Sequence, residues 1–518
     1  RNPYSCSQDT QITIREKIKE HKLNRIVVAA CTPRTHEPLF QETLRNAGLN
    51  RSLFEMVNIR DQCSWVHMHE PEEATAKAKE LVRMAVAKAA LLAPLAEQSV
   101  PVIPKALVIG GGLSGMTAAL SLANQGFECF LLEKSDMLGG NLNNLVFTLS
   151  GDDPQTFLKQ LKNKIEQESL IHVYTNAVIE NISGYIGNFT TSISSDLLTD
   201  TVEHGAIIVA TGGKPYQPTQ YLYGKSKQVL TQLELEKMIS YDTEAAKIQK
   251  MVMIQCVGSR GQDLAYCSKI CCMQAVKNAL KILEINPHAV IYILYRDMRT
   301  YGFTEDYYRK AREKGVIFIR YEKDAPPEVT EENGKIKIEF LDILLDEKMT
   351  IKPDFLALSV GVVPHDVGQL AKDLKVPLTS DKFFLEAHAK LRPVEFSVSG
   401  IYLCGLAHSP KPVDESIAQA QAAAGKTGAL LAKGFVTVEP IVSVVNTDAC
   451  IGCGICEDIC PYKAIRLIRA GKKKRAETIS ASCKGCGMCA SHCPTFAISM
   501  GGFTNNEIIA QIKAFGES

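Results

Sequence analysis

Two cysteine runs near the end of the chain constrain its fold more than any other feature. CIGCGICEDICP and CKGCGMCASHCP share the spacing C-x2-C-x2-C-x3-C-P. Thiols on a tight glycine-containing loop can hold three corners of one [4Fe–4S] cubane, and the fourth thiol, carried by the following helix, reaches a second cluster. The first expected ligand set is Cys450, Cys453, Cys456 and Cys493, and the second is Cys483, Cys486, Cys489 and Cys460.

This double run is the pattern of bacterial two-cluster ferredoxins, and it predicts a C-terminal ferredoxin domain over residues 438–518. A pair of zinc knuckles is the alternative, but zinc sites do not need eight thiolates at this crossed spacing. Between the runs, AGKKKR is most simply a solvated turn. Docking of an acidic electron-transfer partner is the second interpretation of that segment.

Composition sets broader limits. A chain of 518 residues is too long for one hydrophobic core. Its 17 cysteines cluster in short motifs, which indicates metal ligation in a reducing cytoplasm rather than disulfides. The net charge of +1 argues against nucleic acid or an anionic membrane as the main partner. No apolar run reaches the roughly 18 residues of a membrane span.

A strand, a glycine-rich turn and a helix follow one another in KALVIGGGLSGMTAALSLANQG. Gly110, Gly112 and Gly115 match G-x-G-x-x-G, which lets backbone amides approach a pyrophosphate at the helix N-terminus. Glu133 ends the next strand, where a carboxylate can accept from a ribose hydroxyl. This arrangement predicts a dinucleotide site, with a purely structural turn as the alternative.

Later segments indicate that the dinucleotide is FAD. LGGN, GAIIVATGG, SVGVVP and GIYLCGLA resemble the FAD-binding half of the two-dinucleotide-domain flavoprotein disulfide reductases, which include thioredoxin reductase. The contacts that this resemblance implies are Gly139, Gly140, Asn141, Ala210, Thr211, Gly212, Gly361, Gly405 and Ser416. This chain has Gly405-Leu406 where that family usually has Gly-Asp, so the aspartate that contacts the flavin ribityl chain is missing.

The same resemblance implies an α/β, thioredoxin-reductase-like architecture. Residues 99–245 and 352–437 are expected to form the FAD-binding domain, on either side of an inserted NAD-domain-like region, residues 246–351. An N-terminal α/β domain, residues 1–98, is expected to precede it. Because the chain begins at Arg1, we expect its true start to be missing.

The inserted region carries cysteines where relatives have the glycines of a nicotinamide site. QCVGSRGQDLAYCSKICC contains Cys256, Cys267, Cys271 and Cys272, while Gly258 and Gly261 alone do not make the glycine fingerprint. The four thiols could hold one more [4Fe–4S] cluster. Buried structural thiols, a vicinal disulfide and a redox-active dithiol are the alternatives.

Several motifs together resemble the A-type subunit of heterodisulfide reductase, which is the flavin and iron–sulfur component of that enzyme in methanogens. They are QCVGSR, YCSKICCMQA, ILYRDMRTYG, VVAACTPRTHEPLF and IRDQCSWVH. The resemblance implies a cluster at the central cysteines beside the FAD, and a flavin that is the site of electron bifurcation. Two family features are lacking here: a ferredoxin-like insertion between LGG and ATG, and a cysteine-rich stretch upstream of YSCS.

The resemblance also implies partners for an oxidoreductase of anaerobic methanogenesis. We expect other subunits of a heterodisulfide-reductase-like complex, a hydrogenase or formate dehydrogenase input module, ferredoxin, and a homodimer within the complex. An NAD(P)H-dependent flavoprotein with a fused ferredoxin is the alternative enzyme. A third interpretation is an electron relay whose flavin never bifurcates.

The remaining candidates are single residues. Lys277, on the same helix as the central thiols, is a candidate catalytic residue whose ammonium would hydrogen-bond flavin N5; a solvated lysine on an exposed helix face is the alternative. Cys6, Cys31 and Cys63 are either the remains of a ligand set or ordinary buried cysteines. Cys129 and Cys404 are expected in the core.

Overall fold

The computed structural model describes residues 4–195, 199–241, 243–261, 264–438, 440–471 and 473–516. Gln262, Asp263 and Lys472, which belong to the motifs above, lie outside the described residues. The chain divides into two compact units. The first combines Arg1–Val100 with Val436–Ser518, and the second is Pro101–Phe435.

The helices of the described residues vary from one turn to six turns. They are α1 (Gln8–Glu20), α2 (Pro33–Asn46), α3 (Pro71–Leu91), α4 (Leu113–Ala123), α5 (Pro154–Gln167), α6 (Gln232–Tyr241), α7 (Cys271–Ile285), α8 (Glu305–Glu313), α9 (Gly368–Leu374), α10 (Val413–Lys433), α11 (Ile455–Asp458), α12 (Met488–Ser491) and α13 (Asn505–Ala514). Some begin at side-chain caps: Asp153 accepts from the backbone of α5, and Thr504 and Glu507 form a capping box at α13.

The strands of the described residues are mostly short. They are β1 (Ile26–Ala30), β2 (Phe54–Asn58), β3 (Gln98–Pro101), β4 (Lys105–Ile109), β5 (Glu128–Leu132), β6 (Ile171–Tyr174), β7 (Val178–Tyr185), β8 (Asn188–Ser194), β9 (Thr199–His204), β10 (Ala206–Val209), β11 (Gly213–Pro215), β12 (Val229–Thr231), β13 (Lys250–Val257), β14 (Val290–Tyr295), β15 (Ile317–Arg320), β16 (Glu328–Glu332), β17 (Lys335–Asp342), β18 (Glu347–Ile351), β19 (Phe355–Val360), β20 (Val362–Pro364), β21 (Ile401–Leu403), β22 (Phe435–Val438), β23 (Ser443–Val445), β24 (Ile465–Ala470), β25 (Lys473–Thr478) and β26 (Ile498–Met500).

The first unit contains a small parallel sheet and the cysteine-rich C-terminal segment. β1 pairs with β2 in parallel, and Phe40 and Leu44 of α2 fill the core beside them. The sequence RIVVAAC predicts a buried strand here, and this prediction is wrong about burial: the residues of β1 are half-buried or exposed, because a sheet of two strands covers little of either face. In the C-terminal segment, β23 pairs with β26. The strands β24 and β25 form a hairpin.

The second unit contains two five-stranded parallel sheets. The first has the order β21-β10-β4-β5-β6, and the second has the order β12-β19-β13-β14-β15. Their central strands read as continuous apolar runs, as expected of strands covered on both faces. The short antiparallel pair β11 and β20 lies where the chain passes between the two sheets. Among the described residues, no helix is both long enough and apolar enough to cross a membrane.

Candidate functional site

The first parallel sheet forms a crevice at the carboxyl ends of β4 and β10. The strand order reverses at this point, since β5 and β6 lie on one side of β4 while β10 and β21 lie on the other. In open α/β sheets, ligands bind outside the carboxyl ends of the strands where the order reverses. Gly110 follows β4, Ala210 follows β10, and Cys404 and Gly405 follow β21, so the predicted FAD-binding segments meet at one edge.

The turn after β4 is packed so closely that side chains are excluded from Gly110 and Gly115, two of the three glycines of the G-x-G-x-x-G motif. Gly110 has a φ of 113°, and a Cβ there would collide with the carbonyl of Ala210. A Cβ on Gly115 would collide with the carbonyl oxygen of Gly110. Gly112, the N-cap of α4, instead faces open space, with only the Cα of Gly140 at 4.0 Å. The helix N-terminus is therefore open at the position where a pyrophosphate binds in such turns.

Polar groups around this crevice fit a bound dinucleotide. Glu133 accepts from the N–H of Gly111 at 2.7 Å and from the N–H of Ser135 at 2.8 Å, which fixes its carboxylate next to the turn. The hydroxyl of Thr211 is buried and has no hydrogen-bond partner among the described residues. A buried hydroxyl without a partner is costly, and a bound ligand would satisfy it. The residues present therefore fit FAD.

The other predicted FAD contacts differ in the residues that they touch. Asn141 donates to the carbonyl of Gly213 at 2.7 Å, and Ser416 donates back to Pro412 in the first turn of α10. Gly405 packs so tightly on Ser114 that a Cβ would collide with its hydroxyl. Gly361 is different: it packs against the hydroxyls of Ser259 and Ser268 in the loop of the central cysteines. The rest of the predicted set borders the crevice, and its members are Gly139, Gly140, Ala210 and Gly212.

Lys411 is a buried cation at this edge that sequence reasoning missed. Its ammonium donates to the carbonyl of Gly405 at 2.7 Å, and to the carbonyl and hydroxyl of Ser409. It is 8% exposed, and no carboxylate of the described residues forms an ion pair with it. Burial lowers the pKa of Lys411 to about 8. Two features of the sequence could have indicated it: the aspartate expected after Gly405 is absent, and Lys411 lies just before a predicted helix.

The central cysteines occupy the corresponding position of the second sheet. Its order reverses at β13, with β14 and β15 on one side and β19 and β12 on the other. Cys256 is the next-to-last residue of β13, and Cys271 and Cys272 begin α7. Cys267 lies in the loop between them. The four thiols therefore lie at the point where this sheet would bind a dinucleotide.

The loop of the central cysteines is conformationally strained. Cys256, Arg260 and Lys269 have φ values of 62°, 56° and 61°, in the left-handed region that non-glycine residues rarely adopt. The pairing register of β13 with β19 shifts between Ile254 and Val257, which turns the strand end at Cys256. Such strain persists where the surrounding structure enforces it, and it is common at functional sites.

The turn after β13 differs from the open turn of the first sheet. The ring of Tyr216 covers Gly258 where a Cβ would stand. The position through which a nucleotide would approach the backbone is therefore filled by an aromatic side chain. Tyr216 was not selected from the sequence, because nothing local marks a residue 42 positions before the glycine that it covers.

Burial and neighbouring charge define the chemistry of the central thiols. Burial raises the pKa of Cys271 well above its ordinary value and that of Cys272 to about 11, and the four thiols are close enough to raise these values further. Such thiols stay protonated at neutral pH unless a metal takes the place of the proton. The guanidinium of Arg260 lies 4.0 Å from the sulfur of Cys256. A set of four thiols beside a fixed cation fits an iron–sulfur cluster better than a reactive dithiol.

The cysteine loop also borders the first crevice. Tyr301 donates to Glu415 in the first turn of α10, and the pKa of Tyr301 is raised chiefly by burial and by Glu415, with a smaller contribution from Cys267. Lys269, between Cys267 and Cys271, lies close enough to Lys411 to lower its pKa. The central thiols are therefore neighbours of the α10 N-terminus, at the same edge as the FAD-binding segments.

Lys277 does not face solvent. Its ammonium donates to the carbonyl of Phe147 at 2.7 Å and forms an ion pair with Glu236. Burial lowers the pKa of Lys277, while Glu236 opposes this effect. The alternative of a solvated lysine on an exposed face is therefore wrong. The hydrogen bond to flavin N5 stays a prediction, since two of the three ammonium hydrogens have protein partners here.

The eight C-terminal cysteines surround two pockets in the crossed arrangement expected from their spacing. The first pocket is lined by Cys450, Cys453, Cys456 and Cys493. The second is lined by Cys460, Cys483, Cys486 and Cys489. Each pocket thus combines three thiols of one run with the last thiol of the other.

The two runs fold alike. Each places glycines with positive φ before and after its second cysteine: Gly452 and Gly454 in the first run, Gly485 and Gly487 in the second. The last cysteine of each run accepts a hydrogen bond from the amide four residues later, as in the contact from Ala497 to Cys493 at 3.2 Å. Amide hydrogen bonds to sulfur tune cluster potentials. The pockets and donors therefore fit two [4Fe–4S] clusters.

No three His, Cys, Asp or Glu side chains in the described ranges converge tightly enough to hold a single metal ion. A cubane is held differently, because each thiolate binds the iron at its own corner. Of the three N-terminal thiols, Cys6 is exposed, Cys31 is half-buried, and Cys63 is buried and donates to the carbonyl of Ala74. Cys129 and Cys404 are fully buried, which confirms their predicted place in the core.

Residues 104–426 match the family described as pyridine nucleotide-disulphide oxidoreductase, and residues 443–500 match the 4Fe-4S dicluster domain. An A-type iron-sulfur subunit of CoB–CoM heterodisulfide reductase from Methanopyrus kandleri is 37% identical over 91% of this chain and 86% of its own length. The A-type subunit of the H2:CoB-CoM heterodisulfide,ferredoxin reductase of Methanothermobacter thermautotrophicus is 35% identical over 90% of this chain and 84% of its own length. The chain belongs to the family of A-type heterodisulfide reductase subunits.

Membership in this heterodisulfide reductase family confirms the predicted class and fold. The chain is an FAD and iron–sulfur oxidoreductase with a thioredoxin-reductase-like domain and a C-terminal dicluster domain. Among solved structures, thioredoxin reductase of T. acidophilum matches at 16% identity with a TM-score of 0.43, over 63% of this chain and 97% of its own.

Proposed function

We propose that this heterodisulfide reductase component bifurcates electrons at its FAD, with a third [4Fe–4S] cluster at Cys256, Cys267, Cys271 and Cys272 as the redox neighbour of the flavin. Bound FAD would take electrons in pairs and release them singly, whereas each cluster handles one electron at a time. The proposal divides the chain at the boundaries expected from the sequence, with the third cluster in residues 246–351.

The observation that carries the proposal is the place of the central thiols. They lie where the second sheet would bind a nucleotide, and the ring of Tyr216 fills the approach to Gly258. Tyr301, which follows β14 and lies near Cys267, donates to Glu415 in the first turn of α10, and Lys269 of the cysteine loop lies near Lys411. A cluster held there would be close to a flavin in the first crevice and would leave no room for NAD(P)H.

Residues of the first crevice would bind and orient the cofactor. Amides at the open N-terminus of α4, near Gly112, would donate to the pyrophosphate, and the carboxylate of Glu133 would accept from a ribose hydroxyl. The buried hydroxyl of Thr211 would hydrogen-bond a polar atom of the ligand. The flavoprotein disulfide reductases usually have an aspartate after the glycine that matches Gly405, whereas this chain has the ammonium of Lys411 against the carbonyl of Gly405. A buried cation favours added negative charge, so it would make flavin reduction easier.

The partners follow from the same proposal. The two C-terminal clusters are the route to ferredoxin or to other components of the complex. Relatives carry names that include ferredoxin reductase and H2 or formate, which supports a multi-subunit complex with a hydrogenase or formate dehydrogenase input module. A homodimer of this chain within the complex is part of the proposal. Reduction of the disulfide would take place on other subunits.

Iron and flavin analysis of anaerobically purified protein tests the third cluster. We expect about 12 irons and one FAD per chain, since three cubanes hold four irons each. Cys271→Ala should lower the count by about four irons. The matched control is Cys129→Ala, which removes a thiol from the core and should keep all 12. A count of about eight in the unaltered protein would contradict the third cluster.

A coupled assay with the native partners tests bifurcation. Ferredoxin should be reduced only when a high-potential acceptor is present as well. Ferredoxin reduction without that acceptor would favour a simple relay. The second candidate, an NAD(P)H-dependent flavoprotein, is favoured by the family description of residues 104–426. Rapid bleaching of the flavin by NADPH would support that candidate and contradict the proposal.

A further inference from the structure

The hairpin of β24 and β25 carries a net positive charge, whereas the rest of the chain taken together does not. Residues 465–478 contain six lysines and arginines and one acidic residue, Glu477, although the whole chain has a net charge of +1. Glu477 pairs with Arg466. Arg469, Lys473 and Lys474 are exposed, and the part of the chain that the structure describes offers them no carboxylate partner. Within AGKKKR, Ala470 ends β24, Gly471 lies in an exposed turn, and Lys473, Lys474 and Arg475 belong to β25, so the solvated turn is shorter than the segment for which it was predicted.

Two of these cations face each other at a cost to the fold. Arg469 lies directly opposite Lys474 in the antiparallel register. Like charges at such a pair destabilise a hairpin. Neither side chain is needed for packing, because both are exposed. A like-charged pair that serves no packing purpose indicates a surface that binds an anionic partner.

The pair lies next to the first cluster pocket. Side chains two residues apart on a strand share a face, so Arg469 lies on the face of Leu467, and Lys474 on that of Ala476. Leu467 and Ala476 both line the pocket of Cys450, Cys453, Cys456 and Cys493. The N–H of Ala476 donates to the sulfur of Cys450 at 3.5 Å.

The hairpin and the cysteine loop are in contact at the pocket rim. A Cβ on Gly452 would collide with the carbonyl of Lys474. On either side of Gly452, Ile451 is 62% exposed and Cys453 is exposed as well. The charged pair therefore adjoins the side of the pocket that solvent can reach, where an electron has the shortest path out.

We propose that the face of the β24–β25 hairpin with Arg469 and Lys474 is the docking surface for a small acidic iron–sulfur carrier of the ferredoxin class. This rests on the proposed function, which has the chain exchange electrons with ferredoxin. One electron passes between the carrier's cluster and the cluster of the first pocket, with no bond made and no proton moved. Charge attraction steers the encounter, and the exposed Ile451 supplies apolar contact.

Stopped-flow mixing of the full holoprotein with a reduced acidic two-cluster ferredoxin tests the site. The second-order rate constant should fall at least tenfold between low and high salt. Arg469→Glu with Lys474→Glu should lower the low-salt rate about tenfold or more and weaken the salt dependence. The matched control, Lys159→Glu with Lys323→Glu, changes the net charge equally at exposed lysines of the second unit and should leave the rate unchanged.

Damage to the cluster is separated from loss of docking by a small probe. Methyl viologen, a dication, should oxidise the reduced double variant as fast as the unaltered protein or faster, and the EPR spectrum of the clusters should be unchanged. Ferredoxin rates that ignore salt and both double variants would overturn the proposal. So would a hairpin variant that loses binding to DNA or to anionic vesicles but keeps its ferredoxin rate.

This test is independent of the bifurcation assay. If coupled reduction fails while the hairpin variant still slows ferredoxin, the docking surface stands and bifurcation falls. If coupled reduction succeeds and the hairpin variant has no effect on ferredoxin, bifurcation stands and the docking surface falls.

Discussion

Lys277 and Glu236 form an ion pair in the interior of the protein, with 2.8 Å between Nζ and Oε2. Glu236 is fully buried, and its other oxygen accepts from the N–H of Val146 at 2.7 Å. Lys277 donates to the carbonyl of Phe147, the next residue. The pair therefore connects α6 and α7 to the segment that follows Gly140 in the FAD-binding region.

Lys277→Ala should destabilise the protein strongly. Removing one partner leaves a buried carboxylate without its counter-charge, which costs about 3–5 kcal/mol. Thermal unfolding followed by circular dichroism should show a Tm several degrees lower. The double variant Lys277→Met with Glu236→Leu removes both charges and should recover most of the loss.

The same two variants test the role of Lys277 at the flavin. If its ammonium hydrogen-bonds flavin N5, the midpoint potential of the flavin should shift in both variants, including the one with recovered stability. A potential that is unchanged in the double variant would remove Lys277 from the flavin chemistry and leave it a structural residue.

Gly115→Ala should abolish FAD binding. The added Cβ would collide with the carbonyl of Gly110 and force the glycine turn apart. Gly425→Ala is the control, because that helical glycine has open space around it and Ala favours helix. The flavin-to-protein ratio after gel filtration measures the effect. A normal ratio in Gly115→Ala would contradict the assignment of this turn to the cofactor.

His204 should make the protein sensitive to acid. It is fully buried, its Nε2 lies 2.9 Å from the hydroxyl of Thr191, and burial lowers its pKa to about 4. The unfolded state, with a pKa near 6.5, binds more protons between these values. Stability is therefore full above about pH 6.5 and falls by on the order of 3 kcal/mol as the pH drops toward 4.

Comparison of Tm against pH in two histidine variants measures this effect. His204→Gln removes the titrating group, so its Tm should depend less on pH between 6.5 and 4. His288→Gln changes an exposed histidine and should keep the slope of the unaltered protein. An identical slope in His204→Gln would show that other groups cause the acid sensitivity.

Lys411→Met should lower the midpoint potential of the flavin, because it removes a buried positive charge beside Gly405. It should change the stability of the fold little, since removing the buried charge offsets the loss of its hydrogen bonds to Gly405 and Ser409. Stability of the unaltered protein should rise with pH between about 8 and 10.5, where only the unfolded state keeps the proton. That rise should be smaller in Lys411→Met. An unchanged flavin potential would contradict the role of Lys411.

Local patterns predict much of this molecule. The glycines around Gly110, the carboxylate of Glu133 and the cysteine spacing each express a constraint within a few residues of backbone. The crossed arrangement of the two pockets could also be predicted from the sequence, because the fourth cysteine of each run follows the third at a fixed spacing.

Other features depend on contacts between distant segments and have no local pattern. Tyr216 covers Gly258 only because β11 and β20 bring the two sheets together. The partner of Lys277 lies 41 residues earlier in the chain, on α6. Burial of Lys411 likewise depends on how the loop after β21 folds back on Gly405.

The exchange of the fourth cysteine between the two C-terminal runs makes each half dependent on the other. Cys460 belongs to the pocket of the second run, and Cys493 to that of the first. A chain cut between them could build neither centre, and a single half on its own would complete a thiol set only by pairing with a second copy of itself. Loss of one run should therefore cost both centres together, so that iron is retained in pairs of cubanes or lost in pairs.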